Sequence, residues 1–221
     1  MKIAILYFND IRLTPNQIHK FRGYVGNVFA EHDIIHNHST ETGKSIYRYP
    51  LIQFKLIDKT PCIIALTEEA IEVFTKIFMI MDEINIEGRI IPINEKDLKI
   101  ENSDFGFSRE TFLYEFVSPW LALNQRNFHL FNEMTDKADR DSLLKRILTG
   151  NILSTAKYLG CHLSPEERIE TNLNIKPSKA TLKGKSMIGF KGVFKTNFML
   201  PDHIGLGKSV SRGFGTIQKI L

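Results

Sequence analysis

The sequence predicts an α+β protein made of two tandem ferredoxin-like units, each with the element order β-α-β-β-α-β, ending in a glycine-rich C-terminal loop. Three observations lead there. Strand-like apolar runs and helical faces follow one another in that order through the N-terminal part. A second round starts near Phe107, and two glycine pairs bracket a basic segment close to the C-terminus. At 221 residues, 43% of them hydrophobic, the chain suffices for two units of about 100 residues each. The expected domains are 1–105, carrying a histidine loop, and 106–221, carrying the glycine-rich loop.

Lys2 to Phe8 (KIAILYF) is a short apolar run that reads as a buried strand. Thr14-Pro15 offers an N-cap with proline at the first helical position, and Ile18, Phe21, Val25, Val28 and Phe29 recur at helical spacing through about Ala30. From Asp33 to Ser45 the chain is polar and rich in turn formers, which predicts a loop. Tyr47 to Leu66 supplies two strand-like runs around a turn at Asp58-Lys59-Thr60-Pro61. Thr67-Glu68-Glu69 opens a second helix with Ile71, Phe74, Ile77, Phe78 and Met81 on its face, and Ile84 to Ile93 reads as a further strand. RNA-recognition (RRM-like) domains use the same order. In the second round FLYEFVSPWLAL is strand-like, and Asp136 to Arg140 is a charged, exposed stretch. Asp141 to Leu159 is a helix with Leu144, Ile147, Leu148 and Ile152 on one side. Glu167 to Leu173, Leu182 to Phe190 and Gly192 to Leu200 are strands.

The net charge of +4 is unevenly placed. Residues 171–221 carry nine Lys and Arg against one acid, Asp202, a net of +8; the remaining chain has 20 basic and 24 acidic residues, a net of −4. A local positive field of this kind holds polyanions. Cys62 and Cys161 are the only cysteines and form no CxxC pair, which excludes a dense disulfide framework and suits a reducing cytoplasm. The opening apolar run is cut short by Asn9, Asp10 and Arg12, unlike a signal peptide, and no apolar stretch reaches the ~20 residues of a membrane helix. A cytoplasmic protein without membrane association is expected.

The most specific motif runs from Gly205 to Gly215, GLGKSVSRGFG. Gly205, Gly207, Gly213 and Gly215 permit close backbone approach and positive φ, Lys208 and Arg212 add charge, and Ser209 and Ser211 add donors. Amides and cations in such an array suit an RNA backbone. The G-x4-G-K-[ST] spacing of a phosphate-binding NTPase loop is absent, and the strand and helix that flank a dinucleotide fingerprint are missing.

A GxG, basic, GxG loop closing a chain of this length resembles the CRISPR-associated proteins with tandem ferredoxin-like domains. In particular it resembles the endoribonuclease family that processes precursor CRISPR RNA, whose members also begin with a short strand, an apolar helix and a histidine-bearing loop. The element order agrees across nearly the whole chain, although residues 95–165 carry no matching motif. The resemblance implies metal-independent cleavage of CRISPR repeat RNA by its own 2′-hydroxyl, leaving 2′,3′-cyclic phosphate and 5′-hydroxyl ends, with no cofactor. Histidine suits the proton transfers because its pKa of about 6.5 lies near working pH.

The resembled active site joins a tyrosine late in the first helix to a loop histidine and a following lysine, or uses two nearby histidines. Tyr24, His36, His38 and Lys44 fit both patterns. They imply His38 as acid or base, His36 as its partner, Lys44 as stabiliser of the phosphorane, and Tyr24 as a positioning or proton-transfer group. Tyr24 serves equally well as a packed aromatic, and His19, His32, His129, His162 and His203 read as incidental. Lys183, Lys185, Lys191 and Lys195 line the last hairpin as phosphate contacts, and Arg48 and Lys55 extend the track. Expected partners are CRISPR repeat RNA and, as a further option, subunits of a CRISPR interference complex; monomer and homodimer both stay open. Two alternatives remain: a non-catalytic RNA-binding subunit of such a complex, and a general RNA-binding protein.

Overall fold

The structure is a computed structural model that describes residues 1–29, 49–182 and 184–220. The chain divides into two compact units: Met1–Ser103 with Val210–Gly213, and Asp104–Ser209 with Phe214–Leu221. In the first, β1 (Lys2–Phe8), β2 (Ile52–Ile57), β3 (Thr60–Leu66) and β6 (Lys96–Asn102) make one sheet in the order β2-β3-β1-β6. Each neighbouring pair is antiparallel. Helices α1 (Ile18–Val28) and α2 (Glu68–Ile80) complete the split-βαβ arrangement.

A capping box between Thr14 and Gln17 starts a 3-10 turn, Pro15–Gln17, that runs into α1. Ile18, Phe21 and Val25 are buried at spacings of three and four, as expected, whereas Val28 is exposed. Phe21 is the wedge of this core: its ring meets Phe8 and Phe54 edge-on, each at 5.4 Å. Ala70, Phe74 and Ile77 of α2 close the same core. Asp58 and Lys59 both have positive φ and form a two-residue hairpin turn, leaving Thr60 and Pro61 inside β3.

Two features of this unit differ from expectation. The run Ile84–Ile93 is a separate hairpin, β4 (Glu83–Ile86) and β5 (Arg89–Pro92), because Glu87 and Gly88, at φ 57° and 82°, turn the chain back on itself. The fourth strand of the main sheet is β6, an edge strand whose KDLKIEN sequence is mostly exposed and too charged to read as a strand.

The second unit repeats the topology. Strands β7 (Gly106–Phe116), β8 (Thr171–Leu182), β9 (Lys185–Met199) and β10 (Ile217–Ile220) form a sheet in the order β10-β7-β9-β8. The pairs are again antiparallel. Fourth, first, third, second is thus the strand order in both units, and the fold is tandem ferredoxin-like. Helix α4 (Lys137–Tyr158) buries Leu143, Leu144, Leu148 and Ile152. The charged stretch before it supplies the cap: Asp136 accepts from the Ala138 amide at 2.8 Å. Gly160, at φ 78°, ends the helix, with Cys161 N donating to Ala156 O and Gly160 N to Lys157 O. A short helix, α3 (Gln125–Glu133), precedes α4 and was not foreseen, since QRNFHLFNE carries only three apolar residues.

Two corrections apply here as well. The expected strands Leu182–Phe190 and Gly192–Leu200 are one continuous strand, β9, paired with β8 from Leu182↔Lys185 to Thr171↔Thr196. And no second helix lies between β9 and β10 among the described residues; the glycine-rich segment stands in its place.

Gly192 holds the middle of β9 at φ 132°, where a Cβ would collide with the carbonyl oxygen of Asn174. Gly184, at φ 76°, has open space around it. Gly192→Ala is therefore expected to destabilise the protein by roughly 2–4 kcal/mol and Gly184→Ala by about 1–2 kcal/mol. Urea unfolding checks this, and equal losses would contradict the steric reading.

Candidate nucleic-acid interface

Pro201 and four glycines make the segment between β9 and β10 a poor helix. Its backbone bonds run to neighbouring chain instead. Leu206 N donates to Gly215 O at 2.9 Å, Gly215 N to Pro119 O at 2.9 Å, Lys208 N to Leu121 O at 3.2 Å and Ile217 N to Ile204 O at 3.0 Å. Ile204 and Leu206 are fully buried. At Gly207, φ 90°, a Cβ would stand 2.6 Å from the indole nitrogen of Trp120, which itself donates to Asn151 Oδ1 at 3.1 Å. A Cβ on Gly215 would collide with the Leu206 carbonyl. These glycines have a packing reason of their own, and the amides of Leu206, Lys208 and Gly215 are committed to protein carbonyls. Gly205 and Ser211 are buried, Gly213, Ser209 and Arg212 are half-buried, and Lys208 is exposed. The cation this motif turns fully outward is Lys208.

Val210–Gly213 belongs to the first unit, where it lies along the outer edge of β2. Arg212 pairs with Phe54 in parallel register, and Phe54 N donates to Ser211 O at 3.4 Å. Lys55 donates from Nζ to Val210 O at 3.1 Å and is fully buried. It is thus not part of an RNA-contacting track, a correction to the sequence expectation. A lysine in IQFKLI looks like a surface cation, but both faces of this strand are covered. Burial pushes the amine down to about 7 and the thiol of Cys62, directly across in register, up to about 12.

The same segment gathers positive charge at the start of α1. A Cβ on Gly213 would lie 3.1 Å from Ile18, so Arg212 sits beside the first turn of the helix. Burial first, then the charge of Arg212, lowers the Arg22 guanidinium to about 10. His19 is held below its usual pKa by burial and by the charges of Lys20 and Arg212. Its imidazole is correspondingly biased towards the neutral form, which makes His19 less incidental than its position in the sequence suggests.

In the second unit the β8–β9 hairpin carries exposed Lys185, Lys191 and Lys195. Register sets Lys176 directly opposite Lys191. Like charges facing across a ladder repel, and an anion between them relieves the repulsion. Sequence reasoning did not single out Lys176, because only the pairing brings it to Lys191. Lys183 lies outside the described residues.

Of the proton-transfer candidates, His36, His38 and Lys44 lie outside the described residues, as does Arg48. Tyr24 is half-buried on α1 against the core of its unit. Burial, and to a lesser extent the charge of Glu83, raises its pKa, so it stays a phenol able to donate a proton. Among the described residues no group of three or more His, Cys, Asp or Glu could hold a metal ion. None of the described helices is long and apolar enough to cross a membrane.

Known proteins match this arrangement end to end. The family model described as the Cas6b N-terminal domain matches residues 1–104, and that described as the Cas6b C-terminal domain matches residues 106–220. A crystal structure of Cas6b is 34% identical, with a TM-score of 0.90 and 100% of both chains covered. A second, titled CRISPR RNA processing endoribonuclease Cas6b, is 31% identical with a TM-score of 0.80, again covering 100% of both. An uncharacterized protein of Methanocaldococcus jannaschii is 34% identical over 146 residues, 66% of this chain and 97% of that one.

The buried amine predicts a pH dependence. Above pH 7 the folded protein releases the Lys55 proton that the unfolded chain retains up to about pH 10.4. The unfolded state then binds more protons, so stability rises with pH from about 7 to about 8.5, by roughly 1.4 kcal/mol per unit at most; above that the Cys62 thiol, which ionises first in the unfolded chain, offsets the slope. Urea unfolding between pH 6 and 8 should show this rise in the parent and its loss in Lys55→Met. Parallel pH profiles for the two proteins would contradict it.

Proposed function

The chain belongs to the Cas6b family, and from that premise we propose that it is an endoribonuclease that cuts CRISPR repeat RNA in the precursor transcript, releasing guide RNA. The observation that carries this reading is the 31% identity, over the full length of both chains, to a structure titled CRISPR RNA processing endoribonuclease. The cationic hairpin and the charge gathered around Arg212 support it, since each places positive groups side by side where a polyanion relieves their repulsion.

The proposed chemistry is transesterification within the RNA. A histidine removes the proton of the 2′-hydroxyl, whose oxygen forms a new bond to phosphorus. The bond from phosphorus to the 5′-oxygen breaks, and an acid delivers a proton to that oxygen as it leaves. The products are a 2′,3′-cyclic phosphate and a 5′-hydroxyl, and no metal enters the balance. His38 and His36 take the two proton transfers, and Lys44 offsets charge on the phosphorane. Tyr24, kept protonated by its raised pKa, serves as a donor that positions or protonates rather than as a base. Lys185, Lys191, Lys195 and Lys208, with Ser209 and Arg212, hold the RNA backbone, while Gly205, Gly207, Gly213 and Gly215 and the buried Ser211 fix the course of the loop that carries Lys208, Ser209 and Arg212. Lys183 joins this set by its place in the hairpin sequence.

A labelled repeat RNA incubated with the protein in EDTA is expected to be cut once, with cyclic phosphate and 5′-hydroxyl ends. His38→Ala should abolish the cut, and His36→Ala or Lys44→Ala should slow it by roughly 10²-fold or more. Cleavage surviving the double histidine substitution would remove this assignment. Replacing Lys208 and Arg212 together by alanine should weaken binding more than it slows the chemical step in bound RNA. Unchanged affinity would contradict their role as a clamp.

A further inference from the structure

We propose that a groove on the second unit binds one unpaired nucleobase of RNA against the ring of Phe128, with Lys179 and Lys208 receiving the phosphates on either side. The inference deepens the RNA reading above and rests on it. Two adjoining depressions, about 310 and 280 Å³ in volume, share Phe128, Ser186, Met187 and Ile188. Lys179 lines one of them, and Lys208, from the glycine-rich segment, lines the other. No acidic residue lines either.

The ring is available. Phe128 is 39% exposed on α3, whereas Phe131 on the same helix is buried against Phe190. His129 packs edge-on to Phe128 at 6.1 Å, which restricts the ring. An exposed aromatic in a groove lined also by Met187 and Ile188 offers a face to any base, because every base has one of its own. The rim adds the side-chain amides of Asn124 and Gln125, which suit base edges. Asn124 uses its Oδ1 to cap α3 at the Asn127 amide, 2.7 Å away, which fixes its orientation and leaves the NH2 group to donate. A paired base presents no open face to such a groove, so the occupant is single-stranded RNA. A lysine in each depression fits the repeating charge of an RNA backbone better than an apolar protein segment.

The test is the affinity of the full-length protein for a labelled, eight-nucleotide single-stranded RNA of unrelated sequence, measured by anisotropy over a range of salt concentrations. Phe128→Ala should lose roughly ten-fold in affinity with an unchanged salt slope, and Phe128→Tyr should retain binding. Lys179→Gln and Lys208→Gln should each reduce the slope by roughly 0.7, the value for one phosphate contact on a single strand. With 4-thiouridine in the oligonucleotide, the photo-crosslink should map to the peptide that contains Phe128. Affinity unchanged in Phe128→Ala, no binding by the parent, or a crosslink confined to other peptides would each overturn the proposal. Cleavage of repeat RNA is read in a separate assay. Its absence beside an intact Phe128 effect would remove the nuclease reading alone, and the reverse pattern would remove only the groove.

Discussion

A stretch of backbone that cannot be a helix sets the shape of the second unit. Both units have the same strand order, yet only the first fills the gap between its third and fourth strands with a helix. In the second, Leu206 and Gly215 bond across the segment, and Gly215 bonds on to Pro119. Trp120 stands so close to Gly207 that any side chain there would strike its indole. The constraint is steric before it is chemical. Positive φ and missing Cβ atoms let this chain lie flat where a helix would stand off. Its register in turn decides which residues face outward, Lys208 among them, with Arg212 half-buried.

Electrostatics follows from that placement. Within each unit cations face each other: Lys176 lies across from Lys191 in the second, and Arg212 beside Arg22 and His19 in the first. Preset repulsion of this kind is relieved when a polyanion binds, so part of the binding energy is stored in the free protein. The Lys55 amine shows the opposite solution. Fully buried, it keeps a carbonyl partner in Val210 and moves towards neutrality.

How much of this was legible in the sequence depends on what periodicity can encode. Ile18, Phe21 and Val25 mark α1 and Phe74 and Ile77 mark α2, because each pattern has a clear period; on α2 it is Ala70 that is fully buried, while Ile71 and Phe78 are half-buried. The turn at Glu87-Gly88 was hidden inside an apolar run that reads equally well as one strand, and β6 was hidden by its own charges. Element order alone predicts a second helix in the second unit, but Pro201 and the glycines disfavour one, and none lies between β9 and β10 among the described residues. Charge segregation along the sequence marks the stretch that contains the β8–β9 hairpin and the glycine-rich segment. Cross-strand partnership, the burial of Lys55 and the groove at Phe128 are properties of register and packing that no local window contains.

The glycine-rich segment is a preformed framework rather than a loop ordered by its ligand, and amide hydrogen exchange of the free protein tests that most directly. Leu206 and Gly215 donate to carbonyls at 2.9 Å within a buried surround. Their amides should therefore exchange as slowly as those of the central strands β7 and β9 and change little when RNA is added. Exchange at the rate of an open chain in the free protein, with protection gained only on binding, would contradict the account.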